Sequence, residues 1–320
     1  MIYKLQSNRV RRTYLGGKRI EKFTNVTDEK PLEALLSEDW TASVTKAFHG
    51  VVEIEGEGLG RTEDGRLVKD IVGDELKILV KLLDSAERLV IQAHPTVPFA
   101  KAHCNCDFGK TECWYFLDCG EDACVYLGFK KGVTRKDWEE VFESQDIPKM
   151  LSMLHCLKVK TGDFIFVDGG VPHAIGADCF MIELQEPSDL VVVSERVTPS
   201  GRVLPEKKLH MGLGYEKMYE VYDYTGYDED ELRQRFCPAP KDLGNGAWEI
   251  LGEDLTDKFR MVRLEGNAKI APGKRFTVAI VTEGEGKFCG VPVVKGDRML
   301  VEEEVVTTEG GDDFKVILCI

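Results

Sequence analysis

The chain is cut into short apolar runs, and most of them end at glycine, aspartate or proline. LKILVKLLD (76–84), RLVIQAHP (88–95), ECWYFLDCG (112–120), ACVYLGF (123–129), GDFIFVDGG (162–170) and CFMIELQEPSDLVVVSER (179–196) are rich in β-branched and aromatic residues. Strands of this length and spacing specify a sandwich or barrel. LKILVKLLD and RLVIQA are expected to be neighbouring strands joined at Asp84–Glu87. FRMVRLEG (259–266), RFTVAIVTEGEGKFCGVPVVKGDRMLVEEE (275–304) and FKVILCI (314–320) repeat the pattern near the end of the chain. Between them lies YDYTGYDEDELRQRFCPAPKDLGNG (222–246), polar and turn-rich, which is expected to link two β modules.

Helical patterns are few. Thr134 and Asp137 form a capping pair ahead of Trp138, Val141 and Phe142, which share one helical face. Pro148 is expected to interrupt that helix, and Met150, Leu151 and Leu154 continue its apolar stripe. A second short helix is expected over 31–36. Both read as cover for the core.

The chemistry concentrates in the first part of the chain. Strand side chains alternate between faces, so Gln92 and His94 point to the same side. Glu112 opens the next strand after the loop 95–111, and His173 follows a strand and a glycine-rich turn. Imidazole nitrogen and carboxylate oxygen are good ligands for zinc and similar divalent ions; an amide oxygen is a harder, weaker one. Two His, one Glu and one Gln leave a position for substrate or water, as an open catalytic site requires. The six histidines are at 49, 94, 103, 155, 173 and 210, so the tail beyond 246 has none. Cys104 and Cys106 beside His103 lack a second cysteine pair to complete a metal site. The ten cysteines are therefore read as free thiols of a reducing cytoplasm. The N-terminal stretch is polar and basic with no apolar signal core, and no apolar run is long enough to span a membrane. A net charge of -14 argues against general nucleic-acid binding, and it requires any anionic substrate to meet a local cluster of cations.

Gly162-Asp163 followed by Gly170 and His173 resembles the second motif of the cupin superfamily, G-D-x4-P-x-G-x2-H, with Asp168 where proline is usual. The resemblance extends further. LVKLLDSAERLVIQAHP, FAKAH, GKTECWYFLD, VKTGDFIFVDGGVPHAIG and IELQEPSD are similar, in order and spacing, to the blocks of type I phosphomannose isomerases of the short bacterial form. Weaker echoes occur at Leu15-Gly16-Gly17 and Glu38-Asp39-Trp40. The match is good from residue 10 to about 196 and loose beyond.

This resemblance implies a mainly β protein of two cupin (jelly-roll) barrel modules with a small helical insertion. The catalytic module is expected over 1–235 with the insertion near 133–156, and a metal-free module over 236–320. Lys295-Gly296-Asp297-Arg298 echoes the cupin turn there without its histidine. The resemblance also implies one zinc ion per chain on Gln92, His94, Glu112 and His173, and interconversion of mannose 6-phosphate and fructose 6-phosphate. Lys110 falls where the family lines the substrate site, and Glu183 and Asp189 fall on its acidic positions. Two departures stand out. Tyr14 replaces a tryptophan before the Gly-Gly turn, and Val193 occupies the place of an arginine that faces the sugar. Arg196 is the nearest substitute in sequence, Arg202 a more distant one. On a regular strand 193 and 196 face opposite sides. Two other readings stay open: a non-catalytic sugar-binding or sugar-sensing cupin, and a metal-dependent cupin of oxygenase or epimerase type, which an iron requirement and oxygen uptake would distinguish. The partners expected are a phosphorylated hexose and, at most, a second copy of the chain.

Overall fold

The computed structural model describes residues 1–25, 35–47 and 55–320. The fold is mainly β, with four sheets. The expected helix over 31–36 falls largely outside the described residues.

Two six-stranded sheets make the first part of the molecule. One runs Arg9–Val10, Glu38–Thr41, Leu79–Ser85, Cys179–Gln185, Glu112–Cys119, Phe164–Val167. The other runs Val192–Val193, Gln92–Ala93, His173–Ile175, Cys124–Lys130, Gly226–Tyr227, with Leu154–Lys158 also on Cys124–Lys130. Trp114, Phe116, Phe166 and Ile182 of the first sheet share one buried cluster with Val125, Leu127 and Ile175 of the second. The segments expected to be neighbouring strands, 76–84 and 88–95, therefore lie in different sheets. The chain crosses at Ser85, and only Gln92–Ala93 of the second run pairs as a strand. Arg88 clamps the far side of this crossing through a two-pronged ion pair with buried Glu195 (2.6 and 2.8 Å).

The remaining sheets have seven and four strands. The larger runs Ile2–Lys4, Arg298–Val301, Thr277–Glu283, Lys315–Cys319, Met261–Glu265, Ala247–Leu251, Lys241–Gly244. Its central strands send apolar residues alternately to two cores. Val262, Ala279, Val281, Met299, Val316 and Leu318 pack with Phe288, Val293 and Val306 of the four-stranded sheet. Met261, Val278, Ile280, Leu300, Ile317 and Cys319 point the other way and join the core of the first part. A sheet buried on both faces fuses the two parts. A buried Arg298–Asp39 ion pair (2.8 Å) crosses the same junction. Ile2–Lys4 pairs with Met299–Val301, so the first strand of the chain belongs to the sheet of its last segment. Among the described residues no ladder closes into a barrel.

Arg135–Ser144 and Ile147–Ser152 are helices lying between the strands Cys124–Lys130 and Leu154–Lys158. Thr134 and Asp137 form the full capping box, and Trp138, Val141, Phe142 and Met150 are buried. The break between the helices comes at Gln145, in the left-handed conformation (φ 52°), not at Pro148. Proline is tolerated in a first helical turn, and Pro148 sits in the first turn of the second helix, capped by Asp146.

The stretch 222–246, expected as a linker, is ordered structure. Gly226–Tyr227 pairs in parallel with Phe129 and Lys130. Glu229–Phe236 is a helix whose capping box is Asp228 and Glu231, with Leu232 and Phe236 buried one turn apart. Asp-x-x-Glu ahead of two apolar residues four apart is a helix signal that the acidic composition masks. Among the described residues no helix is long and apolar enough to cross a membrane.

Candidate metal centre

Three strands bring their ends to one point. Gln92 and His173 are direct partners across adjacent strands. Glu112 begins the strand Glu112–Cys119 of the facing sheet, and His94 follows Gln92–Ala93. Gly170 fixes the turn before His173: it has φ +92°, which a side chain would strain, and its N–H donates to the His94 carbonyl oxygen (2.6 Å). Asp168, in place of the motif's proline, pairs with Arg235, which packs over Phe166.

His94, Glu112 and His173 each offer one donor atom, and these atoms lie within 4.8 Å of one another. Both imidazoles are oriented by backbone: His94 Nδ1 lies 2.9 Å from the Leu190 carbonyl oxygen and His173 Nδ1 lies 2.9 Å from that of Val171. A ring whose Nδ1–H donates to a carbonyl carries its lone pair on Nε2. Both Nε2 atoms face Glu112, each 3.3 Å from a different carboxylate oxygen. The Gln92 amide stands 3.3 Å from His173 Nε2. Turning that amide by 180° exchanges its nitrogen for its oxygen. The Lys110 ammonium sits 2.7 Å from His94 Nε2 and 2.5 Å from Glu112 Oε2. A cation thus already occupies the donors' meeting point, and a borderline N/O donor set of this kind fits a divalent metal.

The protonation states agree with that use. Burial drives the His173 pKa down to about 3 against the pull of Glu112. Burial and the Lys110 charge likewise lower that of His94. Burial alone would raise the Glu112 carboxyl, but Lys110 and the two imidazoles outweigh it and hold the group well below the usual range. Two neutral imidazoles and one carboxylate therefore face the centre near neutral pH.

A cavity of about 40 Å³ opens beside this point. Gln92, His94, Lys110, Glu183, Asp189 and Val193 line it, together with residues the sequence reading missed: Arg12, Tyr14, Glu38, Lys81 and Lys208. Glu38 accepts from Tyr14 (2.7 Å) and Trp40 (2.6 Å) and lies 3.3 Å from Arg12. Arg12 grips both oxygens of Asp189 at 2.8 Å. Lys81, fully buried, binds Glu183 (2.9 Å), which is also 3.6 Å from Lys110. Lys81 carried a legible signal: a single lysine inside the all-apolar run LVKLL, buried wherever the strand goes and so obliged to find carboxylates.

Arg196 is not brought into the cavity. Its guanidinium lies over the Phe142 ring and pairs with Glu143 on the helix Arg135–Ser144. The strand ends at Val193, and Arg196 lies beyond it, where the chain turns back. Arg202 donates to the Thr13 carbonyl oxygen (2.8 Å).

No protein-family model matches the chain. It is 31% identical to the mannose-6-phosphate isomerase ManA of Bacillus subtilis (strain 168) over 239 residues, 73% of this chain and 72% of that one. It is 33% identical to the mannose-6-phosphate isomerase of Streptococcus mutans over 262 residues, 75% of this chain and 72% of that one. Among solved structures, the mannose 6-phosphate isomerase from Bacillus subtilis superposes with a TM-score of 0.78 at 20% identity, covering 100% of this chain and 99% of that one. The apo form of the Salmonella typhimurium enzyme gives 0.72 at 12% identity, covering 99% and 98%. Sequence identity kept over nearly three quarters of two relatives, on a fold shared from end to end, is inheritance, and the chain belongs to the mannose-6-phosphate isomerase family.

Proposed function

We propose that this protein is a metal-dependent isomerase interconverting mannose 6-phosphate and fructose 6-phosphate in the cytoplasm. The observation that carries the reading is the convergence of His94, Glu112 and His173, with both Nδ1 atoms tied to backbone and both Nε2 atoms turned toward Glu112. Gln92 is the fourth ligand, and zinc is the ion we assign. The module carrying the site is a cupin with the helical pair 135–152 inserted, and the histidine-free segment beyond 236 is its metal-free counterpart.

Charge balance supports a phosphorylated substrate. Arg12, Lys81, Lys110 and Lys208 stand around the cavity against Glu38, Glu183, Asp189 and, behind them, Glu112. Four cations cancel four carboxylates. A divalent ion leaves a net charge of about +2, the complement of a phosphate monoester dianion. The ion supplies Lewis acidity toward the sugar's carbonyl end while a proton moves between C2 and C1.

The proton needs a carboxylate that is not fully engaged. Glu112 belongs to the metal. Glu38 is held by Tyr14, Trp40 and Arg12, and Arg12 takes both oxygens of Asp189. Glu183 remains, and we assign it the proton transfer, with Lys81 and Lys110 fixing its position. Asp189 instead positions Arg12. With an ion held by His94, Glu112 and His173, the Lys110 ammonium would be available to a sugar oxygen. The test is turnover of the two hexose 6-phosphates by purified protein, together with elemental analysis. A protein holding about one metal per chain that isomerises neither sugar would sink the proposal.

One observation favours a second reading, a sugar-sensing protein without turnover. Val193, apolar and buried, lines the cavity where the family resemblance leads one to expect an arginine. Binding of the phosphosugars without interconversion would establish that reading.

A further inference from the structure

Three of the four cavity cations already have carboxylate partners: Arg12 on Asp189 and Glu38, Lys81 on Glu183 and Glu38, Lys110 on Glu112. The side chain of Lys208 differs. Among the described residues its ammonium has no hydrogen-bond or ion-pair partner, although it lines the same cavity as Arg12 and Val193. Its placement has a structural cause. Beyond Val192–Val193 the chain folds back on itself: Val197 bridges Val203 and Leu204 N–H donates to the Arg196 carbonyl oxygen (2.9 Å). That return seats the helical turn Glu206–Leu209 on the strand Val192–Val193, with Leu204, Leu209, Val192 and Val193 in one buried cluster. Val193 is the cross-strand partner of Gln92. Lys208 therefore reaches the cavity from a helical turn seated on the strand that pairs with Gln92, on the side where Val193 offers no charge.

We infer that Lys208 receives the phosphate group of the substrate and makes the site select phosphorylated over plain sugars. This deepens the isomerase reading and rests on it. A flexible ammonium suits the task as a point charge for a phosphate oxygen. The surroundings fit as well: burial and then Arg12 lower the Lys208 pKa to about 8, outweighing Asp189 and Glu38, so the amine is short of negative charge. A dianion supplies it.

The test compares Lys208→Met and Lys208→Arg with the parent protein, using hexose 6-phosphate kinetics and calorimetry with inorganic phosphate. For Lys208→Met, KM rises about 10- to 50-fold while kcat stays within about threefold and metal content is unchanged. The phosphate affinity falls by a similar factor, and Lys208→Arg recovers most of both. In the parent protein KM climbs as pH rises through about 8, where Lys208 loses its charge in the company of Arg12, Asp189 and Glu38. It stays flat in Lys208→Arg, whose charge does not titrate there. An unchanged KM in Lys208→Met overturns the assignment. So does a loss confined to kcat. If the parent protein turns over no hexose phosphate, calorimetry decides alone. Phosphate bound by the parent and lost in Lys208→Met upholds Lys208; equal binding, or none in the parent, overturns it.

Discussion

The two parts of the molecule use sheets in opposite ways. On one side of the cavity the strands are two or three residues long (Gln92–Ala93, His173–Ile175, Val192–Val193) and turn buried histidines toward Lys81 and Glu183, which come from the middle of two seven-residue strands opposite. In the seven-stranded sheet the central strands alternate without interruption, each side chain committed to one of two apolar cores. Burying polar groups costs stability unless each finds a partner, so the first part spends its strand ends on a bonded network. The second part carries no such network and supplies apolar contact on both faces. What one half loses in regular packing is offset by a partner that is packed throughout.

Four changes can break or sharpen that contrast. His173→Ala should lower isomerase turnover by roughly 10³-fold or more and release the metal, since the imidazole is both the ligand we propose and the cross-strand neighbour of Gln92. Metal analysis checks it, and a variant that keeps a full complement of metal would show that the strand ends do not form the ion's cage. Glu183→Gln should reduce kcat by about 10²- to 10⁴-fold with metal retained. If kcat holds, the proton is moved elsewhere in the network. Ile317→Ala removes a side chain from the face of the seven-stranded sheet that packs on the first part, and should cost about 2–5 kcal/mol. Calorimetry should still show a single transition, because the core is continuous across the junction; two separate transitions would mean that the halves unfold independently. Asp168→Asn breaks only the half-exposed pair with Arg235 and should cost less than about 1 kcal/mol. A larger loss in denaturant titration would make the motif's altered turn a structural necessity.

The legible part of the site is the part with local spacing. Gln92 and His94 two apart on a strand, and Gly162-Asp163 leading to Gly170 and His173, declare themselves because the periodicity of a strand and the geometry of a turn fix where those side chains go. Arg12 does not: it sits in the basic stretch RVRRT and reads as solvated charge, while its partner Asp189 is 177 residues away. Lys208 is equally silent, since its position depends on how the chain returns after Val193. Arg196 misled through counting alone. Its number is close to 193, but the strand ends at Val193 and Arg196 packs on the helix Arg135–Ser144. The helix Glu229–Phe236 was missed because charge density hid a capping pattern that the residues do contain.

The pairing of Ile2–Lys4 with Met299–Val301 sets an order of events at the ribosome. At about 5–20 residues per second, some 15–60 s separate the emergence of the two strands. Throughout that interval the first strand is an unpaired edge, and the apolar side of the first part that Leu300 and Ile317 will cover stays open to other chains. Nascent protein should therefore depend on a holding chaperone more than its finished form does, and ribosome-stalled chains ending before residue 298 should be far more sensitive to protease than released ones.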